Sequence, residues 1–221
     1  MSALPKRLKE AAKALIFKHT KFAAPTYRYN VEPIQLAYLI NQIEQTKHLK
    51  GSVIEIGVAR GMTTRFLCQH IVNQDIEGFC DLYAIDTFTS FTEADLAYEV
   101  QQRGKSLFDL EAFNYNDVDV WKSNFQDFPF LKVIQADCSI VDYSKLAPIK
   151  LAFLDVDLYL PTKNVLPKLY AELISGGAIL VDDVLNDNTY DGAYQAYMEF
   201  CQQQNIAPEI IGNKCGVIRK R

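Results

Sequence analysis

The sequence predicts an α/β fold: a seven-stranded, mostly parallel sheet with an antiparallel last strand and helices on both faces. Three observations predict it. Leu151-Ala-Phe-Leu-Asp155-Val-Asp157-Leu-Tyr159 and Ile179-Leu-Val-Asp182-Asp183-Val184 are short apolar, β-branched runs that stop abruptly at carboxylates. A strand covered by helices on both faces has no polar side and reads as such a run. Ser52-Val-Ile-Glu55-Ile-Gly57 passes through a glycine turn, Val58-Ala-Arg-Gly61, into a helical pattern from about Met62 to Val72. Finally, strand and helix patterns alternate along the chain until two short strands meet around Gly212-Asn213, where a tight turn makes the pair antiparallel.

A chain of 221 residues, 49% hydrophobic and 23% charged, suits one domain with a sizeable core. The net charge of −4 gives no general reason to expect nucleic acid as a partner. Cys68, Cys80, Cys138, Cys201 and Cys215 form no C-x-x-C pair and are odd in number, which points to reduced thiols and a cytoplasmic protein. No apolar run reaches transmembrane length, and residues 11–17, broken by Lys13, make a poor signal peptide.

Residues 1–49 read as a helical extension ahead of a sheet domain of residues 50–221. Lys6, Arg7, Lys9, Lys13, Lys18 and Lys21 stand against a single Glu10, while Leu4, Leu8, Ala12, Leu15 and Ile16 recur at helical spacing. Such a basic amphipathic helix suits an anionic membrane surface, its own domain or a second subunit, and the last two are the commoner uses. A homodimer is therefore expected. Pro25 ends this helix, and Tyr27-Arg28-Tyr29 leads into another near Glu32 to Gln45, with Leu36, Leu39, Ile40 and Ile43 on its buried face. Further strands are expected at 81–86 and 131–137, and helices at 117–126, 162–174 and 193–203. Pro161 is placed at the start of the helix at 162, and Gly176-Gly177 at its close. Residues 87–130 break the alternation. Phe88, Phe91, Tyr98, Phe108, Phe113, Tyr115, Trp121 and Phe125 are interspersed with acids there, the pattern of a partly helical lid.

In an open α/β sheet, ligands bind beyond the carboxyl ends of the strands, so Asp155, Asp157, Asp182 and Asp183 gather at one rim. Close like charges repel unless a cation or proton intervenes, which points to a metal site. The alternative is that Asp182 or Asp183 caps the next helix. The Gly57 loop brings backbone N–H groups near a ligand, and Asp86 stands where nucleotide-binding folds use an acid for ribose hydroxyls. A dinucleotide turn wants G-x-G-x-x-G, but Gly57-Val-Ala59-Arg-Gly61-Met62 has Ala and Met at the second and third glycine positions.

E-x-G-x-x-x-G is instead the pattern by which class I methyltransferases hold S-adenosylmethionine. Four pieces in register carry the resemblance: Glu55-Ile-Gly-Val-Ala-Arg-Gly61, Asp86-Thr-Phe88, Asp155-Val-Asp-Leu-Tyr-Leu-Pro-Thr162 and Gly176-Gly-Ala-Ile-Leu-Val-Asp-Asp183. Over roughly residues 50 to 185 the chain resembles the macrocin O-methyltransferase family of antibiotic-tailoring enzymes and, more distantly, catechol O-methyltransferase. The resemblance implies a Rossmann-like class I methyltransferase fold and an S-adenosylmethionine- and Mg²⁺-dependent O-methyltransferase. It implies that Glu55, Gly57 and Ala59 line the methionine end of the cofactor, with Thr63 holding its carboxylate. Asp86 would take the ribose hydroxyls with Thr87 beside it, and Asp137 and Cys138 would face the adenine. The metal ligands fall on Asp155, Asp182 and Asp183, with Asp155 also bordering the cofactor, and the general base falls on Asp157. Tyr27 would lie over the cofactor. Two departures concern the acceptor side: Thr89-Ser-Phe-Thr92 replaces the family's Glu-Gly-Phe-Pro, and residues 93–120 match no family pattern.

The expected acceptor is a hydroxylated small molecule that offers a sugar hydroxyl or a vicinal diol. A carboxylate shell selects a hard cation, Mg²⁺ first, and Asp157 can take the proton. His19, His48 and His70 lie in helices or ahead of the first strand, which argues against a histidine base. Two other classes compete. Asp155-Val-Asp157 also reads as the D-x-D of a metal-dependent nucleotide-sugar glycosyltransferase, although that fold has no need of the Glu55 to Gly61 loop. A non-catalytic binding module on the same fold would explain the basic helix but not the four rim acids.

Overall fold

The computed structural model describes residues 5–22, 24, 27 and 29–220, and the chain forms two compact units divided between Asn30 and Val31. The first holds α1 (Lys6–His19), which has no buried residue and leaves Leu8, Leu15, Ile16 and Phe17 exposed among its cations. It stops at Thr20, whose backbone is extended and whose amide closes the last turn on the Ile16 carbonyl. Leu4, Pro25 and Arg28 lie outside the described residues.

The second unit is built on a sheet of β1 (Gly51–Ile56), β2 (Cys80–Asp86), β3 (Leu131–Gln135), β4 (Ile149–Leu154), β5 (Leu173–Val181), β6 (Glu209–Ile211) and β7 (Cys215–Arg219). Its order is β3-β2-β1-β4-β5-β7-β6, parallel except for β7, which runs against both neighbours. Around it lie α2 (Pro33–Thr46), α3 (Met62–Asn73), α4 (Glu93–Arg103), α5 (Val118–Ser123), α6 (Tyr159–Glu172) and α7 (Asp191–Gln203). Because α2 packs on β4 and β5, the boundary expected at residues 49–50 falls inside this unit.

All six residues of β4 are buried, the apolar run Leu151–Leu154 among them. Ile54, Ile56, Ala152, Leu154, Ile179 and Val181 point to one face and cluster with Val165, Leu166 and Leu169 of α6 and Tyr197 and Phe200 of α7. The alternate residues Val53, Leu151, Phe153 and Leu180 are equally buried on the other face, where α2 and α3 pack. Because β1 to β5 run in one direction, their carboxyl ends, and the loops that follow them, lie at one rim.

Some element ends differ from expectation. The helix predicted from Thr162 begins at Tyr159, so Pro161 is its third residue rather than its first, and Pro167 lies inside it. It ends at Glu172, and Gly176-Gly177 do not close it. The backbone is already extended at Leu173, which pairs with Ile149, so the glycines lie within β5, where Gly176 bulges at φ 79° and donates its amide to Lys220 O. β4 also begins earlier than its apolar run, because Lys150 is fully buried with its ammonium on the Leu49 and Phe79 carbonyls.

Candidate active site

β4 and β5 end side by side, Leu154 opposite Val181. The next amides continue the ladder, Asp155 N donating to Ile56 O at 2.8 Å and Asp182 N to Leu154 O at 2.9 Å. Beyond them the chain turns sharply: Asp157 (φ 61°) and Asp183 (φ 55°) are both left-handed. That conformation costs a non-glycine residue about 1 kcal/mol, less for Asp than for most. Here it turns side chains inward, so Asp155, Asp157 and Asp183 each bring an oxygen within 4.8 Å of the others. Neither Asp182 nor Asp183 caps a helix, since Tyr190 precedes α7 and Leu158 precedes α6.

Asp182 is directed elsewhere. Its Oδ1 accepts from Gln35 Nε2 at 2.7 Å and its Oδ2 from Lys214 Nζ at 2.8 Å; the same Nζ donates to Asp183 Oδ1 at 2.8 Å. Among the described residues, Lys214 thus sets its ammonium against two of the four rim acids, from a position the sequence did not mark. Burial raises the pKa of Asp155, Asp157 and Asp182, and neighbouring carboxylates push each further. Burial works against the Lys214 ammonium, but Asp182 and Asp183 outweigh it and hold its pKa above the lysine value. Three acids that resist ionising mark a cluster short of positive charge. Its hard oxygen donors fit a divalent cation such as Mg²⁺.

The neighbouring loop is shaped for close approach. Gly57 (φ 81°) lies against the backbone of Asp155, and a Cβ there would overlap the Asp155 carbonyl oxygen. Gly61 (φ 82°) starts α3 with Phe125 and Trp121 packed where a side chain would go. Asp86 ties the loops after β1 and β2 together: Oδ2 accepts from Val58 N at 2.8 Å and Ala59 N at 3.3 Å, Oδ1 from Phe88 N at 2.7 Å. Thr87 Oγ1 donates to Ser90 O at 2.6 Å, closing the second loop.

Glu55 is buried beside this loop. Its Oε2 and the Thr64 Oγ1 have no hydrogen-bond partner among the described residues. Burial, with Asp86 adding to it and Thr64 opposing, carries the Glu55 carboxyl up to about 8. Thr63 is buried in the first turn of α3, where backbone amides lack intrahelical acceptors. A buried acceptor without a donor, next to helix-start amides, fits a ligand carrying both an ammonium and a carboxylate.

Asp137 caps the turn at Cys138–Ile140 by accepting from Ser139 N at 2.8 Å. Burial pushes the Cys138 thiol up to about 12, so that residue contributes packing, not a reactive thiolate. Tyr27 belongs to the first unit, where it is exposed and its ring stacks on Tyr29 at 5.6 Å.

The segment between β2 and β3, whose aromatic residues read as a lid, packs against the glycine loop, and its Asn116 is a partner that no sequence pattern marked. Asn116 Nδ2 donates to Ala59 O at 2.8 Å, and the Trp121 ring stacks on Phe125 at 4.0 Å over Gly61. Phe91 meets Phe113 at 5.6 Å and Tyr190 at 6.3 Å. Burial and then the charges of Asp157 and Asp183 raise the Tyr190 phenol, which places this aromatic wall beside the acids.

The macrocin O-methyltransferase (TylF) family model matches residues 33–220, which takes in the Gly57 loop, Asp86 and both acid pairs. Among solved structures, the calicheamicin methyltransferase CalS11 is 17% identical with a TM-score of 0.64, covering 99% of this chain and 94% of that one. A second CalS11 structure, described as a TDP-rhamnose 3'-O-methyltransferase, is 16% identical with a TM-score of 0.57, covering 99% and 96%. The O-methyltransferase NovP is 16% identical with a TM-score of 0.66, covering 85% and 78%. At these identities the likeness is one of fold. No curated protein sequence matches the chain. The glycosyltransferase reading of Asp155-Val-Asp157 finds no support in these matches. The chain belongs to the macrocin O-methyltransferase family and is an S-adenosylmethionine-dependent O-methyltransferase.

Proposed function

We propose that the chain methylates a hydroxyl of a sugar or sugar-bearing natural product, with a divalent cation, Mg²⁺ first, at the rim acids. One observation carries the reading. Gly57 of the cofactor loop lies against the backbone of Asp155, so the methyl donor's cradle and the acids share a wall. A sugar acceptor is supported by the description of CalS11 as acting on TDP-rhamnose and by the aromatic wall of Phe91, Phe113 and Tyr190.

When bound, S-adenosylmethionine supplies an electrophilic sulfonium methyl, and the cation makes a hydroxyl easier to ionise. Glu55 and the first turn of α3 receive the methionine end, Asp86 the ribose hydroxyls, and the Asp137–Cys138 turn borders the adenine. Asp155 and Asp183 would hold the cation, and Asp182 would complete the set through the lone pairs that its hydrogen bonds from Gln35 and Lys214 leave free; those two residues orient Asp182 and Asp183 as outer partners of metal-ligating carboxylates do. Asp157, two residues beyond Asp155, takes the hydroxyl proton. Holding the partners in line supplies several kcal/mol of the barrier reduction. The wider reading is a cytoplasmic small-molecule enzyme, active as a homodimer and without nucleic acid. No helix among the described residues is long and apolar enough to cross a membrane.

The test is transfer of labelled methyl from S-adenosylmethionine to a panel of TDP-sugars, including TDP-rhamnose, and catechols, in Mg²⁺ or EDTA. Transfer to a sugar hydroxyl that EDTA and Asp157→Asn both abolish is expected. Undiminished transfer in EDTA would remove the cation from the account, and transfer to catechols alone would remove the sugar.

A further inference from the structure

The acceptor-side helix α4 is fastened to the turn that carries Asp157 by one buried side chain. Glu99 is 1% exposed. Its Oε1 accepts from the backbone amide of Tyr159, the first residue of α6, at 2.7 Å, and its Oε2 accepts from Arg103 Nε at 2.7 Å. Arg103 continues to Asp191 Oδ1 at the start of α7 at 2.5 Å, where Lys105 also pairs at 2.7 Å. Gly192 shows how tight the junction is: a Cβ there would overlap Tyr159 N and lie 2.8 Å from Glu99 Oε1.

Between Asp155 and this junction the chain has little freedom to relax. Leu158 N donates to Val156 O at 2.6 Å, spanning Asp157 in its left-handed conformation, and Asp157 O accepts from Ala193 N at 3.2 Å. A left-handed Asp persists only where its surroundings impose it. The surroundings here are the starts of α6 and α7; Glu99 joins the first to α4, and Arg103, which Glu99 holds, joins the second. The Tyr98 ring, one residue before Glu99, also stacks on Tyr159 at 5.3 Å.

We propose that Glu99 is a positioning residue: by binding the Tyr159 amide it holds the Val156–Leu158 turn, and so aims the Asp157 carboxylate into the acid cluster only while α4 is seated. The significance of Asp157 rests on the function proposed above; the coupling itself does not. Closure of the acceptor side and alignment of the base then become one event, because both depend on the same carboxylate.

The experiment is hydrogen exchange on the full chain with S-adenosylhomocysteine present, comparing wild type, Glu99→Ala, Glu99→Gln and Gly192→Ala. Losing a hydrogen bond to a buried charge is expected to speed exchange of the Leu158 amide, which Glu99 does not touch, by about tenfold in Glu99→Ala. Glu99→Gln offers one acceptor oxygen to two donors, Tyr159 N and Arg103 Nε, so its Leu158 exchange should fall between those of wild type and Glu99→Ala. Gly192→Ala, which displaces the same bond from the α7 side, should also speed Leu158 and serves should Glu99→Ala not fold. Unchanged Leu158 exchange while α4 loosens would overturn the proposal. Mn²⁺ titration of the same proteins separates the two readings: wild type that binds no Mn²⁺ defeats the cation site, while Leu158 exchange still decides the coupling.

Discussion

In the proposed cradle, Glu55 is the side chain whose charge the cofactor would have to settle. With its carboxyl held at about 8 by burial, it keeps its proton at neutral pH in the ligand-free protein, yet it must ionise to receive an ammonium. Affinity for S-adenosylhomocysteine should therefore fall as pH drops below about 8, approaching tenfold per pH unit, and Glu55→Gln should flatten that dependence. Calorimetric titration across pH checks it. The stability sign follows from the same shift. A carboxyl whose folded pKa is raised contributes fully below its unfolded value of 4.5 and loses that contribution as pH rises through about 8. Glu55→Gln should raise Tm at about pH 9 and leave it nearly unchanged at about pH 4. Gly57 is constrained by space rather than charge. Gly57→Ala would combine a left-handed φ with overlap on the Asp155 carbonyl, so a loss of about 2–4 kcal/mol in urea unfolding is expected, together with loss of cofactor binding.

Among the elements, α2 contributes most beyond its packing. Gln35 accepts from Glu32 N at 2.7 Å to close the first turn and sends its Nε2 to Asp182. Gln35→Leu should weaken Mn²⁺ binding about 10–100-fold, the usual loss when an outer partner of a metal ligand is removed, and a titration followed by electron paramagnetic resonance reads it directly. Periodicity announced α2 through Leu36 and Leu39 but is blind to Gln35, because a helical pattern records which face is apolar and not what a polar residue on that face reaches. Lys214 left no trace for a related reason: it stands in a hairpin turn, where lysine is ordinary, and only the pairing of β7 with β5 carries it to the acids. By contrast, the acid-ended strands and the Gly57 loop were legible because each is local, a continuous apolar run or a turn that only glycine accommodates. The start of α6 was misplaced by three residues because Glu99, 60 positions earlier, satisfies the Tyr159 amide that a cap would otherwise have marked. Lys150 hid the first two residues of β4 in the same way, its partners being the distant carbonyls of Leu49 and Phe79.

At the scale of the whole molecule, the sheet order places the glycine loop of β1 between the Asp86 end of β2 and the Asp155 end of β4, so the proposed cofactor loop and the acids become neighbours through topology alone. The acids make the fold sensitive to pH and to cations. The raised carboxyls of Asp155, Asp157 and Asp182 stabilise the cation-free fold at low pH, and that contribution is lost as pH rises through their raised values. A divalent cation that binds only the folded chain should restore it, by about 2.7 kcal/mol at a hundred times its Kd. Mg²⁺ should accordingly raise Tm more at about pH 8 than at about pH 5, with the difference abolished in Asp155→Asn; equal shifts at both pH values would count against the cation site. The central claim is the cofactor cradle, and calorimetric titration of S-adenosylhomocysteine into wild type and Asp86→Ala, with and without Mg²⁺, tests it most directly. Micromolar binding by wild type, weakened at least about tenfold in Asp86→Ala, is the result this structure predicts. Absence of binding by wild type in every condition would contradict it.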